Sequence, residues 1–265
     1  MPSEAADGLL RPEWDAPPQV GALMSTRQGG VSRPPWDSLN LGLAVADDPA
    51  AVAENRRRFV AHIGVQPLWL RQTHGVRVVR ASRALTEGDA PAADAAWTDE
   101  PGVACVVQVA DCLPVLLAAP DGRGVAAAHA GWRGLAGGVV EAALAALCAG
   151  AQCAPQDVAA WLGPCIGPRR FEVGAEVLQA FDESPASADA RRFVASAASA
   201  AAPRWLANLP QLARERLQRA GVCRIAGGNW CTVEDPARFF SYRRDGVTGR
   251  LAAAVWINPG QSALS

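Results

Sequence analysis

Val103-Ala104-Cys105-Val106-Val107-Gln108-Val109-Ala110-Asp111-Cys112-Leu113-Pro114-Val115-Leu116-Leu117-Ala118-Ala119 carries the clearest structural signal in the chain. Two continuous apolar runs, 103–109 and 115–119, flank a break at Asp111 and Pro114. Short runs that are apolar at nearly every position, rather than at alternate ones, read as strands buried on both faces. The break also leaves the region too short to span a bilayer. Downstream, Asp121-Gly122 is a hairpin-type turn into a third run at 124–129. Residues 134–148 read as one helix of small residues, with Val139, Ala143, Leu144 and Leu147 on a common face.

Outward from this centre, strand and helix signals alternate. An apolar run at 20–24 enters a shaped loop at 25–36, which holds two adjacent glycines and two adjacent prolines. Asp47-Asp48-Pro49 opens a helix that runs to about Ile63. Residues 68–70 and 76–79 read as short strands around His74, 158–162 as a strand and 171–181 as a helix. The Ala- and Ser-rich stretch 184–203 reads as a loop or irregular helix. Residues 205–220 form an amphipathic helix that Pro210 either begins or kinks, and 251–257 is a closing strand. Alternation of this kind predicts an α/β fold whose sheet is covered by helices, and the tight turns make the sheet mixed. With no linker in sight, 13–265 is expected to be one domain and 1–12 a disordered or poorly ordered N-terminus.

Composition removes several classes of function. The net charge is −1, so nothing in the totals points to nucleic acid. All 25 basic residues are arginine, which excludes a Schiff-base lysine and a Walker-type phosphate lysine. Seven cysteines without any Cys-x-x-Cys pair read as reduced thiols. The N-terminus has early acidic residues and no long apolar stretch, unlike a secretory signal. A cytoplasmic protein with no membrane partner is expected, while oligomeric state is not readable.

Two of the three histidines sit beside glycines in loop-like stretches: His74 in Gln72-Thr73-His74-Gly75, and His129 in His129-Ala130-Gly131-Trp132-Arg133-Gly134. Asp111-Cys112 lies between them. Two imidazoles and a thiolate make a three-ligand zinc site with an open fourth position. The same groups also make a cysteine nucleophile with a histidine base. Asp111 either caps its turn or reaches the site as an acid, a base or an orienting group. Arg27, in the glycine-flanked loop, and Arg133, four residues after His129, suit a phosphate or carboxylate. His62, in the helix from Pro49, reads as structural or surface.

Several segments together resemble the multicopper polyphenol oxidase, or laccase-domain, family. They are Ser25-Thr26-Arg27-Gln28-Gly29-Gly30-Val31-Ser32, Ser38-Leu39-Asn40-Leu41-Gly42, Gln72-Thr73-His74-Gly75, Ala110-Asp111-Cys112-Leu113-Pro114-Val115, His129-Ala130-Gly131-Trp132-Arg133-Gly134, Gly163-Pro164-Cys165-Ile166-Gly167 and Phe239-Phe240-Ser241-Tyr242-Arg243-Arg244-Asp245. That family is now associated with purine nucleoside phosphorylase and adenosine deaminase activity, and its bacterial members with peptidoglycan editing. The resemblance implies a three-layer α/β/α sandwich with a mixed β-sheet. It implies zinc held by His74, Cys112 and His129, and a substrate pocket near Arg27 and Asn40. Four-copper oxidase chemistry needs far more than three histidines, so counting excludes it, although a single copper could substitute in the same donors.

The expected function is therefore a zinc-dependent purine nucleoside phosphorylase, with adenosine deaminase and methylthioadenosine phosphorylase activity in the same pocket. Its partners would be a purine nucleoside and phosphate. Asp111, Cys112 and Arg27 are the candidate catalytic residues, and Arg27, Asn40 and Arg133 the candidate substrate contacts. One alternative is an amide hydrolase that removes L-serine from peptidoglycan precursors, using zinc or Cys112 as nucleophile. Another is a zinc-stabilised binding module without catalysis.

Overall fold

The computed structural model describes residues 8–196 and 203–260. Strands β1 (Leu9–Leu10) and β2 (Val20–Ser25) precede helix α1 (Pro49–Ile63). Then come β3 (Gln66–Leu68), β4 (Val78–Arg80), a short α2 (Arg83–Thr86) and β5 (Ala95–Thr98). The apolar centre of the sequence forms β6 (Val103–Val109), β7 (Leu113–Ala118) and β8 (Val125–Ala130), followed by α3 (Trp132–Gly137) and α4 (Val139–Ala151). The remainder is β9 (Ala159–Leu162), β10 (Glu172–Val173), α5 (Ala175–Ala180), β11 (Phe193–Ser196), β12 (Arg204–Ala207), α6 (Leu209–Arg219), β13 (Arg224–Gly227), α7 (Tyr242–Asp245) and β14 (Leu251–Ile257).

The α/β class and the mixed strand pairing hold, but the strands divide between two stacked main sheets where the sequence reading had one. One sheet has the order β1-β2-β14-β6-β3 and the other β13-β9-β7-β8-β5-β4. The reason lies in the doubly buried runs. On β6, Cys105, Val107 and Val109 face Leu116, Val125 and Ala127 of the other sheet, while Ala104 and Val106 face Phe59 and Ile63 of α1. On β7, Val115 and Leu117 pack outward beneath Val140, Leu144 and Leu147 of α4 and Leu212 of α6. Each strand is thus apolar on both sides because one face meets helix and the other meets sheet. The layers run helix, sheet, sheet, helix. A small third sheet, β10-β12-β11, adds Phe193 and Trp205 to the same core cluster as α4 and α6.

Chain direction follows from this stacking. β6 pairs with β14 and β3, whereas β7 pairs with β8 and β9. The chain therefore leaves one sheet at Val109 and enters the other at Leu113. A second crossing runs from β3 to β4, in the same direction, because β3 lies parallel to β6. His74 and Cys112 lie on these two crossings.

Several boundaries differ from the sequence reading. Leu9 and Leu10, assigned to the poorly ordered N-terminus, pair with Ser25 and Met24 and are fully buried, so apolar content outweighs terminal position there. Residues 1–7 lie outside the described residues. The helix expected at 134–148 is two helices, because Gly138 takes φ 100 between them. Trp205 belongs to β12, and α6 begins after an Asn208 cap with Pro210 in its first turn, so the proline starts this helix. Only 175–180 of the predicted 171–181 helix is helical. Strand β11 emerges from the Ala/Ser-rich stretch, where Phe193 anchors it, while 197–202 lie outside the described residues. Among the described residues no helix is long and apolar enough to cross a membrane.

Candidate metal centre

His129 is the fifth residue of β8, Cys112 sits just before β7, and His74 lies between β3 and β4. Their ligand atoms all lie within 4.8 Å of one another. Cys112 Sγ is 3.9 Å from His74 Nε2, and the two imidazoles meet edge to face at 4.8 Å between ring centres. His129 is buried, Cys112 half-buried and His74 exposed, so the cluster opens toward solvent on one side. Ligand atoms around a tetrahedral zinc sit ~3.5 Å apart. The donors thus need only a small contraction, and one thiolate with two imidazoles suits a metal. Among the described residues, no further histidine, cysteine or carboxylate joins the group.

Asp94, which the sequence reading passed over, holds this arrangement together. Its fully buried carboxylate accepts from His129 Nδ1 at 2.9 Å, His74 N at 2.8 Å, Gly75 N at 2.8 Å and Thr73 Oγ1 at 2.8 Å. Its carbonyl oxygen also accepts from His129 N at 2.7 Å. One residue therefore fixes both the His74 loop and the His129 ring, and directs His129 Nε2 away from itself. Burial alone would raise the Asp94 pKa. The hydrogen bonds from His129, Gly75 and Thr73 outweigh it and keep the carboxylate ionised far below the usual range.

The same balance sets the thiol and the imidazole. Burial opposes a charged Cys112, but the positive charge of His129 and hydrogen bonds from both histidines bring its pKa down to about 6. Burial likewise opposes a charged His129, yet Cys112 and Asp94 lift it to about 9. Without a metal, these opposite shifts favour a thiolate facing an imidazolium. That negative charge is what a cation would take over.

Local backbone geometry explains the neighbouring glycines. His74 has φ 60 and Asp111 φ 91, a left-handed region that non-glycine residues rarely enter. A Cβ on Gly131 would lie 2.9 Å from Cys112 Sγ and 3.1 Å from His74 Cδ2. One on Gly134 would lie 2.9 Å from the Gly75 carbonyl. The first turn of α3 can therefore seat against the His74 loop only as glycine at both places.

The Asp111 side chain meets segments distant in sequence rather than its own turn. Its Oδ1 accepts from Thr232 Oγ1 at 2.6 Å, its Oδ2 from Arg243 N at 2.6 Å, and its carbonyl from Ile166 N at 2.9 Å. It ties three segments to the crossing that presents Cys112. Asn40 is fully buried. Its amide donates to Asp47 Oδ2 and the Gly42 carbonyl, and its Oδ1 accepts from Gly42 N and Arg250 N, which leaves no group for direct substrate contact. Arg27 pairs with Asp37 at 3.2 Å, donates to the Pro236 carbonyl and stacks on Phe240. It lines a cleft with Gln28, Gly29, Asp37 and Ser38 that none of the three candidate ligands lines. Arg133 is exposed and stacks on Trp132, its guanidinium carbon 4.3 Å from the ring centre. The structure therefore gathers His74, Cys112 and His129, and gives Arg27, Asn40 and Arg133 separate settings.

Known proteins share this arrangement of chain. A purine nucleoside phosphorylase of Pseudomonas aeruginosa is 51% identical over 94% of this chain and 98% of its own. The purine nucleoside phosphorylase YfiH of Escherichia coli K12 is 46% identical over 94% of this chain and 98% of its own. A crystal structure of a Neisseria meningitidis protein superposes with a TM-score of 0.86 at 44% identity, over 95% of this chain and 99% of that one. Residues 21–258 match the family described as multi-copper polyphenol oxidoreductase laccase. That span contains both sheets' central strands and all three clustered donors, and the chain belongs to this family.

Proposed function

We propose that this protein is a zinc-dependent purine nucleoside phosphorylase of the cytosol, with adenosine deaminase and methylthioadenosine phosphorylase activity in the same pocket. The observation that carries the reading is the convergence of His74, Cys112 and His129, in a chain whose relatives at up to 51% identity are named purine nucleoside phosphorylases. Zinc suits this donor set, and copper fits it as a substitute. Seven free cysteines accord with a reducing compartment.

Zinc, when bound by the three residues, supplies Lewis acidity at a position open to substrate or water. The protein's own groups supply order and charge. Asp94 holds the ring of His129 and the backbone at His74, so both imidazoles face the thiolate of Cys112. Asp111 shapes the Cys112 crossing, and Asn40 acts through its neighbours. Arg27 and Arg133 remain our candidates for substrate contact. Phosphorolysis forms a bond between a phosphate oxygen and C1′ of the ribose and breaks the bond from C1′ to the purine. The purine leaves with a proton. Zinc-loaded protein given adenosine and phosphate should yield adenine and ribose 1-phosphate. Absence of turnover with every purine nucleoside would remove this reading.

A second reading draws on one specific feature. Cys112, His129 and Asp94 form a hydrogen-bonded series of thiol, imidazole and carboxylate, the order used by cysteine nucleophiles. It supports an amide hydrolase that releases L-serine from a peptidoglycan precursor. Alkylation separates the two: a metal-bound thiolate is protected until a chelator is added, and a free nucleophile reacts at once. A binding module with structural zinc would need a fourth protein donor, and the described residues offer three.

A further inference from the structure

Burial lowers the pKa of three arginines: Arg56, Arg214 and Arg250. Among the described residues, none of the three has a carboxylate partner. Arg56 stacks on Trp69 and donates to the Leu41 carbonyl, and Arg214 spreads its two Nη atoms over the Ile225 and Gly227 carbonyls. Arg56, like Arg250, engages one nitrogen among the described residues, but Arg250 is the one on which Cys112 and Asp111 act. Only its Nη1 is engaged, by the adjacent carbonyls of Thr248 and Gly249, both at 3.1 Å. Its Nε and Nη2 meet no acceptor among the described residues. Arg250 is half-buried, so these spare donors remain reachable by a dissolved anion.

Its position puts those donors near the crossing that carries Cys112. Leu251 pairs with Val109, which sets Arg250 across from Ala110 on the crossing that carries Asp111 and Cys112. Those two residues and Tyr242 are the ionisable groups that act on it. Asp111 makes no ion pair with Arg250 among the described residues; its oxygens accept from Thr232 Oγ1 and Arg243 N. The stem of Arg250 lies against Gly42, where a Cβ would come within 2.6 Å of its Cγ, and its backbone amide donates to Asn40 Oδ1 at 2.8 Å. Asn40 and Gly42 thereby seat Arg250. A second observation comes from the same turn: Thr248 is 2% exposed and its hydroxyl has no partner.

We propose that Arg250, assisted by the Thr248 hydroxyl, binds an oxyanion beside the His74–Cys112–His129 cluster, and that this anion is inorganic phosphate. A guanidinium fork and a hydroxyl match the oxygens of phosphate. The identity of the anion rests on the phosphorylase reading, since phosphorolysis consumes phosphate. Under the amide-hydrolase reading the same donors would hold a substrate carboxylate.

The test uses zinc-loaded full-length protein and inorganic phosphate, against chloride at equal ionic strength. Phosphate should raise the Tm of the wild type, and Arg250→Met should abolish that rise. In turnover with adenosine, Arg250→Met should raise KM for phosphate about 10- to 100-fold, the loss of charge-assisted hydrogen bonds. KM for adenosine should move less than about threefold, and Arg250→Lys should fall between, as a point charge without the fork. Phosphate dependence that is the same in Arg250→Met as in the wild type overturns the proposal, as does a wild type whose Tm ignores phosphate. If phosphate stabilises the wild type but not Arg250→Met, and no nucleoside turns over, the anion site stands and the phosphorylase reading falls. Should Arg250→Met fail to fold, phenylglyoxal mapping of the wild type decides. Phosphate should shield Arg250 selectively, and equal modification with and without phosphate overturns the assignment.

Discussion

Replacing Asp94 by asparagine exchanges one carboxylate oxygen for an amide, and both oxygens are occupied. Oδ1 accepts from His74 N and His129 Nδ1, and Oδ2 from Gly75 N and Thr73 Oγ1. The amide fits best at the Oδ2 position, where the threonine hydroxyl can turn to accept. The Gly75 N–H then faces another donor, and the imidazole of His129 loses a full negative charge. One charge-assisted bond lost and one N–H left facing a donor come to ~2–4 kcal/mol of stability. Loosening both histidines at once should weaken zinc binding about 10- to 100-fold. Urea unfolding of the metal-free protein reads the first quantity, and competition against a chelator of known affinity reads the second. A variant with the wild-type urea midpoint, and zinc affinity within about threefold, would refute the idea that Asp94 organises the centre.

Two other outcomes follow from the same geometry. Gly131→Ala places a Cβ 2.9 Å from Cys112 Sγ at an ordinary φ of −66, so zinc content by metal analysis should fall while far-ultraviolet circular dichroism stays unchanged; full zinc occupancy would contradict the steric argument. In metal-free protein, iodoacetamide modification of Cys112 should follow the thiolate. The pKa of about 6 lies below the ordinary thiol value, so the group is reactive above pH 6 and silenced as protons return below it. An inflection near 8 to 9 would show that His129 does not stabilise the thiolate, whereas His129→Gln should move the inflection upward.

The two long apolar runs were legible as strands because burial on both faces leaves a continuous pattern. That pattern does not say whether a face meets a helix or another sheet, and so the second sheet stayed hidden. His74, Cys112 and His129 stood out as scarce residue types beside glycine and at strand ends. Asp94 did not, since it is one carboxylate in the Ala-rich run Ala92-Ala93-Asp94-Ala95-Ala96, where β5 itself gives little signal. Asn40 was marked by resemblance alone, and its hydrogen bonds show that it serves the loop around Gly42 and Arg250. Arg250 had no mark among 25 basic residues, because its distinction is its place near the Cys112 crossing, a property of three dimensions.

His74 and Cys112 ride on segments that pass between the sheets, while His129 belongs wholly to one of them. All three donors adjoin strands of one sheet: His74 precedes β4, Cys112 precedes β7 and His129 is in β8. An ion captured there would pin both crossings to the edge of that sheet. Chelation should loosen that end of the interior first, before either sheet frays on its own.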